Sequence, residues 1–432
     1  MKKVIPLLLA FGLLLSCCAA PESAEPVVSE TEAVTTAPSL PPETTEVTET
    51  PVPSFDPLFA AAEAPQIWAA NCEEYISLRP EPQFSEALAY IPDGETFTLL
   101  QWQGRYARIR YQEKEGYVLS NYIQPGDDSY FAPQLSVVKP AECYSYRQLL
   151  QDLEALQAAY PDVLSVSSIG VSELGRDIPV FLIGDPNATY HVLLQGAIHG
   201  REHMTAWLLM ALADFWLTRD ITAYGDICYH IIPMSNPDGV VIAQTGILEE
   251  AQQEIYARDL ALGATTDPLG RYTALWKANG LGVDLNRNFP TGWDTLAGST
   301  EPSSQLFRGE APFCAAETAA LRDYTLRYPF AATISYHAAG SFIYYEYGDK
   351  AAANRRSEDL ALAVSAVTGY PLEGSSGVDA GGYKDWAIDA LEIPSLTVEV
   401  GCDRSPLLFR EIYSIFARNC GIFPAIAQWL YS

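Results

Sequence analysis

A chain of 432 residues, 48% of them hydrophobic and 11% aromatic, is long enough for more than one domain and too apolar to be disordered throughout. Its 54 acidic and 26 basic side chains give a formal charge of -28, which argues strongly against a nucleic-acid backbone or an anionic membrane surface as the main partner. The charge is unevenly spread, because no Lys or Arg occurs between Val4 and Leu78.

The N-terminus begins Met1-Lys2-Lys3 and continues into the short apolar run Val4 to Leu15, the charged start and compact core of a secretory signal. The run is well short of the roughly twenty apolar residues that a spanning helix needs. It ends Leu14-Leu15-Ser16-Cys17, which resembles the lipobox of bacterial lipoproteins. That resemblance implies a signal over residues 1–17, a lipid anchor at Cys17 and an extracytoplasmic, membrane-anchored protein. Ordinary cleavage within Cys17-Cys18-Ala19-Ala20, giving a secreted protein, is the alternative. Residues 18–65 follow as an acidic Pro/Thr-rich linker; from Ala19 to Pro65 there are nine acidic residues, nine prolines and no base. Such a segment buries too little apolar surface to order itself and reads as a self-repelling tether with a contour of roughly 150 Å. An inert linker is the plainer reading. Beyond Cys17 and Cys18 stand Cys72, Cys143, Cys228, Cys314, Cys402 and Cys420, with no Cys-x-x-Cys pair. Buried free thiols with at most one or two bridges are expected.

Residues 66–125 change character. Tyr75 to Pro80, Thr96 to Leu100, Tyr106 to Tyr111 and Gly116 to Val118 read as short strands, separated by turns at Pro92-Asp93-Gly94 and Gln103-Gly104. The segment resembles the bacterial SH3-like domains, which implies a small all-β barrel that binds cell-wall peptide or positions a catalytic neighbour. Trp102, Tyr106, Tyr111, Tyr117 and Tyr122 are expected mainly in its core.

A connector, 126–139, leads to residues 140–432, where helical and strand-like runs alternate. Ser145 to Tyr160 has helical spacing of Leu149, Leu150, Leu153 and Leu156 behind a Ser cap. Val180 to Ile183, Val192 to Gln195, Tyr229 to Pro233, Ala332 to Tyr336 and Ser395 to Val400 suit buried strands; Ala206 to Leu217 and Asp359 to Val367 suit helices. The alternation predicts an α/β domain, a mixed central sheet flanked by helices.

His199-Gly200-Arg201-Glu202 follows the strand run Val192 to Gln195. A catalytic zinc needs three nitrogen or oxygen ligands and one open position. A His and a Glu three residues apart at a strand-to-helix junction can turn to one point, although such pairs are also ordinary neighbours on surface helices. His337, after an apolar strand, is the natural third ligand; His203 is the alternative, while His191 and His230 read as structural. Glu399 lies inside the apolar run Thr397 to Val400, where an unpaired charge is costly. It is either salt-bridged or poised for proton transfer. A zinc-activated water beside such a carboxylate hydrolyses amides.

Residues 140–432 resemble the zinc carboxypeptidases of the carboxypeptidase A type. Tyr144-Ser145-Tyr146, Gly196 to Glu202, Pro233 to Gly239, Trp276-Lys277-Ala278-Asn279, Gly282 to Pro290, Ser335-Tyr336-His337, Gly381 to Trp386 and Thr397-Val398-Glu399 come in the family's order. The resemblance implies one Zn2+ ion held by His199, Glu202 and His337, with Glu399 as general base and later proton donor. It implies that Asn286 and Arg287 clamp the substrate's terminal carboxylate, that Arg201 lines the peptide path, and that Lys277 stands where the animal enzymes carry an oxyanion-stabilising Arg. The position of the family's mobile Tyr falls on Gly377, with Tyr383 as a stand-in.

Lys384, at the expected floor of the side-chain pocket, favours a substrate side chain bearing a carboxylate. Diaminopimelate fits, as do Glu and Asp, and the Gly-Gly-Tyr-Lys-Asp-Trp and Thr-Val-Glu-Val-Gly stretches also resemble the bacterial branch that cleaves γ-D-glutamyl-diaminopimelate bonds in peptidoglycan peptides. Alternatively Lys384 pairs with Asp379, Asp385 or Asp389, or faces solvent. The expected function is a zinc metallocarboxypeptidase acting on wall-derived muropeptides. A broad-specificity secreted carboxypeptidase and a non-catalytic wall-binding lipoprotein are the alternatives.

Overall fold

The computed structural model describes residues 67–126, 135–219, 225–374, 381–402 and 404–432. The signal, anchor and tether expectations, and Gly377 and Asp379, lie outside the described residues. Among the described residues no helix is long and apolar enough to cross a membrane, and none of the six cysteines is bridged.

Seven short strands form the N-terminal β unit: β1 Ile67–Ala70, β2 Tyr75–Leu78, β3 Ala89–Pro92, β4 Thr96–Gln103, β5 Tyr106–Tyr111, β6 Lys114–Leu119 and β7 Ile123–Pro125. They make a five-stranded antiparallel sheet in the order β6-β5-β4-β1-β7 and a two-stranded β2-β3 ladder. Its core is Trp68, Leu78, Ile91, Ala107, Ile109, Val118 and Ile123. Trp102, Tyr111 and Tyr122 pack against that core, as expected. Tyr106 and Tyr117 instead line a shallow surface cavity beside Tyr75.

The larger domain is built on eight strands, β8 Leu164–Val171, β9 Asp177–Ile183, β10 Tyr190–Gln195, β11 Ile227–Ile232, β12 Phe330–Ala338, β13 Phe342–Tyr344, β14 Leu372–Glu373 and β15 Ser395–Val400. Their order is β14-β13-β15-β12-β10-β11-β9-β8. The central four, β15, β12, β10 and β11, run parallel, and their near-continuous apolar sequences are what burial on both faces demands. The mixed α/β sheet read from the sequence is the one observed. Strands β8, β13 and β14, at or next to the sheet's edges, escaped that reading because they are short or half-exposed and carry no clean period.

The helix Tyr146–Ala159 begins where its sequence indicates, Ser145 Oγ accepting from Gln148 N at 3.1 Å. The helix Met204–Leu217 is buried along its whole length, the expected fate of a helix that is apolar all round. Its one carboxylate, Asp214, accepts from Ser136 Oγ at 2.5 Å, Val137 N at 2.8 Å and Val138 N at 2.9 Å. A buried charge thereby ties the connector to the centre of the domain. His191 Nδ1 and His230 Nε2 lie 2.8 Å apart, and burial pushes His230 down to about 3.

Strand order decides where a site can form. β10 has β11 on one side and β12 on the other, so successive connections leave it in opposite directions. In open α/β sheets such a switch point opens a crevice at the carboxyl ends of the strands. The Asp214→Ala variant removes two charge-assisted backbone hydrogen bonds and is expected to lose roughly 2–4 kcal/mol of stability in denaturant unfolding. A loss within experimental error would show that the connector is not held by this carboxylate.

Candidate active site

His199 leaves the end of β10 in extended conformation and caps a single 3-10 turn, Gly200–Glu202. Side chains three apart eclipse one another in a 3-10 turn, so His199 and Glu202 meet at one point. The turn is fixed from beneath. Asn236 Nδ2 donates to Ile198 O and Ala278 O, both at 3.0 Å, while its Oδ1 accepts from Gly239 N at 2.9 Å. One buried amide thus ties the histidine loop to two neighbouring segments. Gly200 presses on Gly239, and a Cβ there would come within 2.4 Å of the Gly239 backbone; no larger residue fits.

His337 comes from β12, whose register sets Ser335 beside Gln195 of β10 and carries His337 past the end of that strand. On the other flank His337 is paired in register with Glu399 of β15. Three adjacent parallel strands therefore bring the two histidines and both glutamates to the switch-point crevice.

Glu202 is the hub. Its Oε1 lies 2.8 Å from His199 Nδ1 and its Oε2 lies 3.1 Å from His337 Nδ1. Ala338 N also donates to Oε2 at 3.2 Å. Burial opposes ionisation, yet the two imidazoles, His199 foremost, hold Glu202 well below the usual carboxylate range. His199 Nε2 lies 3.2 Å from Asp284 Oδ1. Burial would lower His199, but Glu202 and Asp284 overcome it and the net shift is upward. The site thus attracts positive charge to a buried imidazole that lines the cavity. The ligand atoms of His199, Glu202 and His337 lie within 4.8 Å of one another. A borderline-soft divalent cation suits two imidazoles and a carboxylate, and the Asp284 contact on the first histidine is the kind of support that ligating histidines receive. His203 does not join the group; it is half-buried, and loss of water around its ring pushes it down to about 4.

These residues line a cavity of about 380 Å³ that also takes in Arg201, Lys277, Asn286, Arg287, Lys384 and Glu399. Every site residue expected from the sequence is therefore in one place. Burial is the main influence on Glu399, and against His337 it still pushes the carboxyl up to about 7. Asn286 Oδ1 accepts from Tyr383 N at 3.1 Å, which leaves the amide nitrogen for other partners. Arg287 Nε lies 3.9 Å from Asp284 Oδ2.

Two expectations are corrected. Tyr383 cannot stand in for a mobile Tyr, because it is fully buried and its hydroxyl is 2.8 Å from the Tyr-facing hydroxyl of Thr325. Lys384 is not a bare cation: Nζ donates to Asp385 Oδ1 at 2.6 Å and to Glu346 O at 2.8 Å. Of the alternatives, pairing with the next residue prevails because both side chains are nine-tenths buried beside the cavity. Asp284 was missed as a functional residue. The signal available was a lone acid in an apolar stretch, two residues before the carboxylate clamp.

The zinc carboxypeptidase family model matches residues 149–418. The chain belongs to that family. Among its relatives, the gamma-D-glutamyl-L-diamino acid endopeptidase 1 of Lysinibacillus sphaericus is 30% identical over 303 residues, covering 67% of this chain and 73% of that protein. Carboxypeptidase B of Astacus astacus is 26% identical and covers 56% and 81%. The crystal structure of carboxypeptidase A from Helicoverpa armigera superposes with a TM-score of 0.52 at 20% identity, covering 76% of this chain and 90% of that one. That likeness establishes the fold. The protein is a zinc metallopeptidase, and its cofactor is Zn2+.

Removing the support of the first histidine should weaken metal binding without dismantling the fold. Asp284→Asn is expected to lower zinc affinity by about 10–100-fold in a chelator competition. Affinity equal to that of the parent would remove Asp284 from the metal site.

Proposed function

We propose that the enzyme hydrolyses the amide bond before a carboxylate-terminated residue in peptidoglycan-derived peptides, of the γ-D-glutamyl-diaminopimelate type. The observation that carries this reading is the Lys384–Asp385 pair in the cavity lining. A cation and an anion side by side complement a side chain that ends in both an amine and a carboxylate, as diaminopimelate does. A lone Glu or Asp side chain uses only half of the pair. The name of the Lysinibacillus sphaericus relative points the same way.

His199, Glu202 and His337 would hold the zinc, which when bound supplies a Lewis acid and makes water acidic enough to attack an amide near neutral pH. Glu399, pushed up to about 7 chiefly by burial, takes a proton from the attacking water and returns it to the leaving amine. Lys277 offers positive charge to the developing oxyanion. Arg287, with Asn286, grips the terminal carboxylate through its planar fork, and Arg201 guides the chain.

The same reading places the enzyme outside the cytoplasm. It would be held at the membrane by lipid on Cys17, carried on the 18–65 tether, with the N-terminal β unit acting as an SH3-like wall-facing module. The lipobox-like Leu14 to Cys17 and the base-free composition of the tether support this.

A mass-spectrometric digest of purified muropeptides by the zinc-loaded protein tests the proposal. Cleavage before diaminopimelate is expected, with Glu399→Gln reducing the rate by at least about 10³-fold. Asp385→Asn should erode the preference for diaminopimelate over Glu. Equal rates on Phe, Lys and Glu ends, with muropeptides left intact, would contradict it.

A further inference from the structure

The active-site cavity is small, but it has a larger neighbour. Between the N-terminal β unit and the peptidase domain lies a cleft of about 1370 Å³. Phe342 of β13 lines both spaces. The chain just before it, His337 to Gly340, runs from the metal site into the cleft wall, so one continuous segment separates and joins the two cavities.

The cleft has fixed walls. Gly104 N donates to Gly369 O at 2.8 Å, and Ser120 Oγ lies 3.3 Å from Cys402 Sγ. Gly369 has a φ of +66°, and a Cβ there would meet Trp102 Cβ at 2.7 Å, so this approach of the two units depends on a glycine. The buried Arg418 guanidinium sits 4.1 Å from the Tyr370 ring centre and 5.3 Å from that of Trp102. Ala417 belongs to the apolar core of the β unit itself. The two units therefore meet as a built interface.

The lining has a chemistry. The β unit contributes Trp102, Tyr106, Arg105 and Arg110, and the peptidase contributes Arg418, against a single acid, Glu373. Arg418 is buried and Arg110 is paired with Glu115 at 2.7 Å, so the cation open to the cleft is the exposed Arg105, set beside the rings of Trp102, Tyr106 and Phe342. Such a surface suits an extended peptide carrying carboxylates.

We propose that this cleft binds the amino-side portion of the substrate, an anionic peptide segment that runs from the scissile bond over Phe342 onto Trp102, Tyr106 and Arg105. The inference rests on the peptidase reading above and extends it, since the β unit becomes part of the substrate site. With the terminal carboxylate gripped by Arg287 and Asn286, a cavity of about 380 Å³ has room for the residues at the cleaved bond and little more. The rest of a longer substrate has to leave, and the space it meets across Phe342 is aromatic and offers the exposed Arg105. Binding energy gained there, remote from the reacting bond, raises kcat/KM for long substrates over short ones.

The test uses the full zinc-loaded chain and two substrates with the same cleaved bond, one a blocked dipeptide and one extended on its amino side by several residues including acidic ones. The long substrate should have a kcat/KM about tenfold higher or more, equivalent to ~1.4 kcal/mol. Trp102→Ala and, separately, Arg105→Glu should collapse that advantage mainly through KM, whereas Tyr90→Ala, on the outside of the β unit, should retain it. Arg105 is exposed, so its variant reports even where loss of Trp102 disturbs the β unit. In the inactive Glu399→Gln chain, calorimetric titration with the long peptide should show the same weakening with Arg105→Glu. Cleavage of both substrates with no length advantage would overturn the proposal, as would an advantage that survives both variants, the cleft then serving another occupant. Failure to cleave either substrate would instead overturn the peptidase reading, and the proposal with it.

Discussion

Glu202 shares its carboxylate between His199 and His337 at only 2% exposure, and the architecture around it follows from that burial. An ionised carboxylate removed from water is costly unless it is paired and fully hydrogen-bonded. Two imidazoles and a backbone N–H supply the partners here, and Asp284 braces the first imidazole from behind. Holding four groups together needs two neighbouring parallel strands, a 3-10 turn to eclipse His199 with Glu202, and the Asn236 amide that locks the turn in place. The glycine contact at Gly200 lets the helix Pro237–Thr245 come close enough for that lock.

The same crevice carries both signs of charge. Glu202, Asp284 and Glu399 favour a bound cation, while Arg201, Lys277, Arg287 and the Lys384–Asp385 pair in the same lining suit an anionic or zwitterionic ligand. Burial strengthens each of these interactions by excluding water. The net charge of -28 describes little of this. Nine of those negative charges fall between Ala19 and Pro65 with no base to offset them.

Much of the fold was legible because the central strands are short, nearly continuous apolar runs and the buried helix is apolar all round. The metal set was legible because the motifs carrying His199, Glu202 and His337 come in the order of the zinc carboxypeptidases; the His199–Glu202 spacing by itself also fits ordinary neighbours on a surface helix. What stayed hidden depends on side-chain partners that no local pattern encodes. In sequence Lys384 is either a pocket-floor cation or a partner of Asp379, Asp385 or Asp389, and only the folded chain selects Asp385. Tyr383 looked available, yet its hydroxyl is consumed by Thr325. Asp284 sat in plain view, but its role depends on a contact with a residue 85 positions away. The cleft beside Trp102 arises from two units meeting, and neither sequence segment signals it.

A buried anionic hub that holds one divalent cation is what the site is built around. Its most direct measurement is a zinc titration of the chelator-treated full chain, followed by elemental stoichiometry and thermal unfolding together. One zinc per chain, with Tm raised by several degrees, is the predicted result, because a ligand that binds only the folded state stabilises it. Zinc that fails to bind, or binds without moving Tm and equally well after His337→Ala, would contradict it.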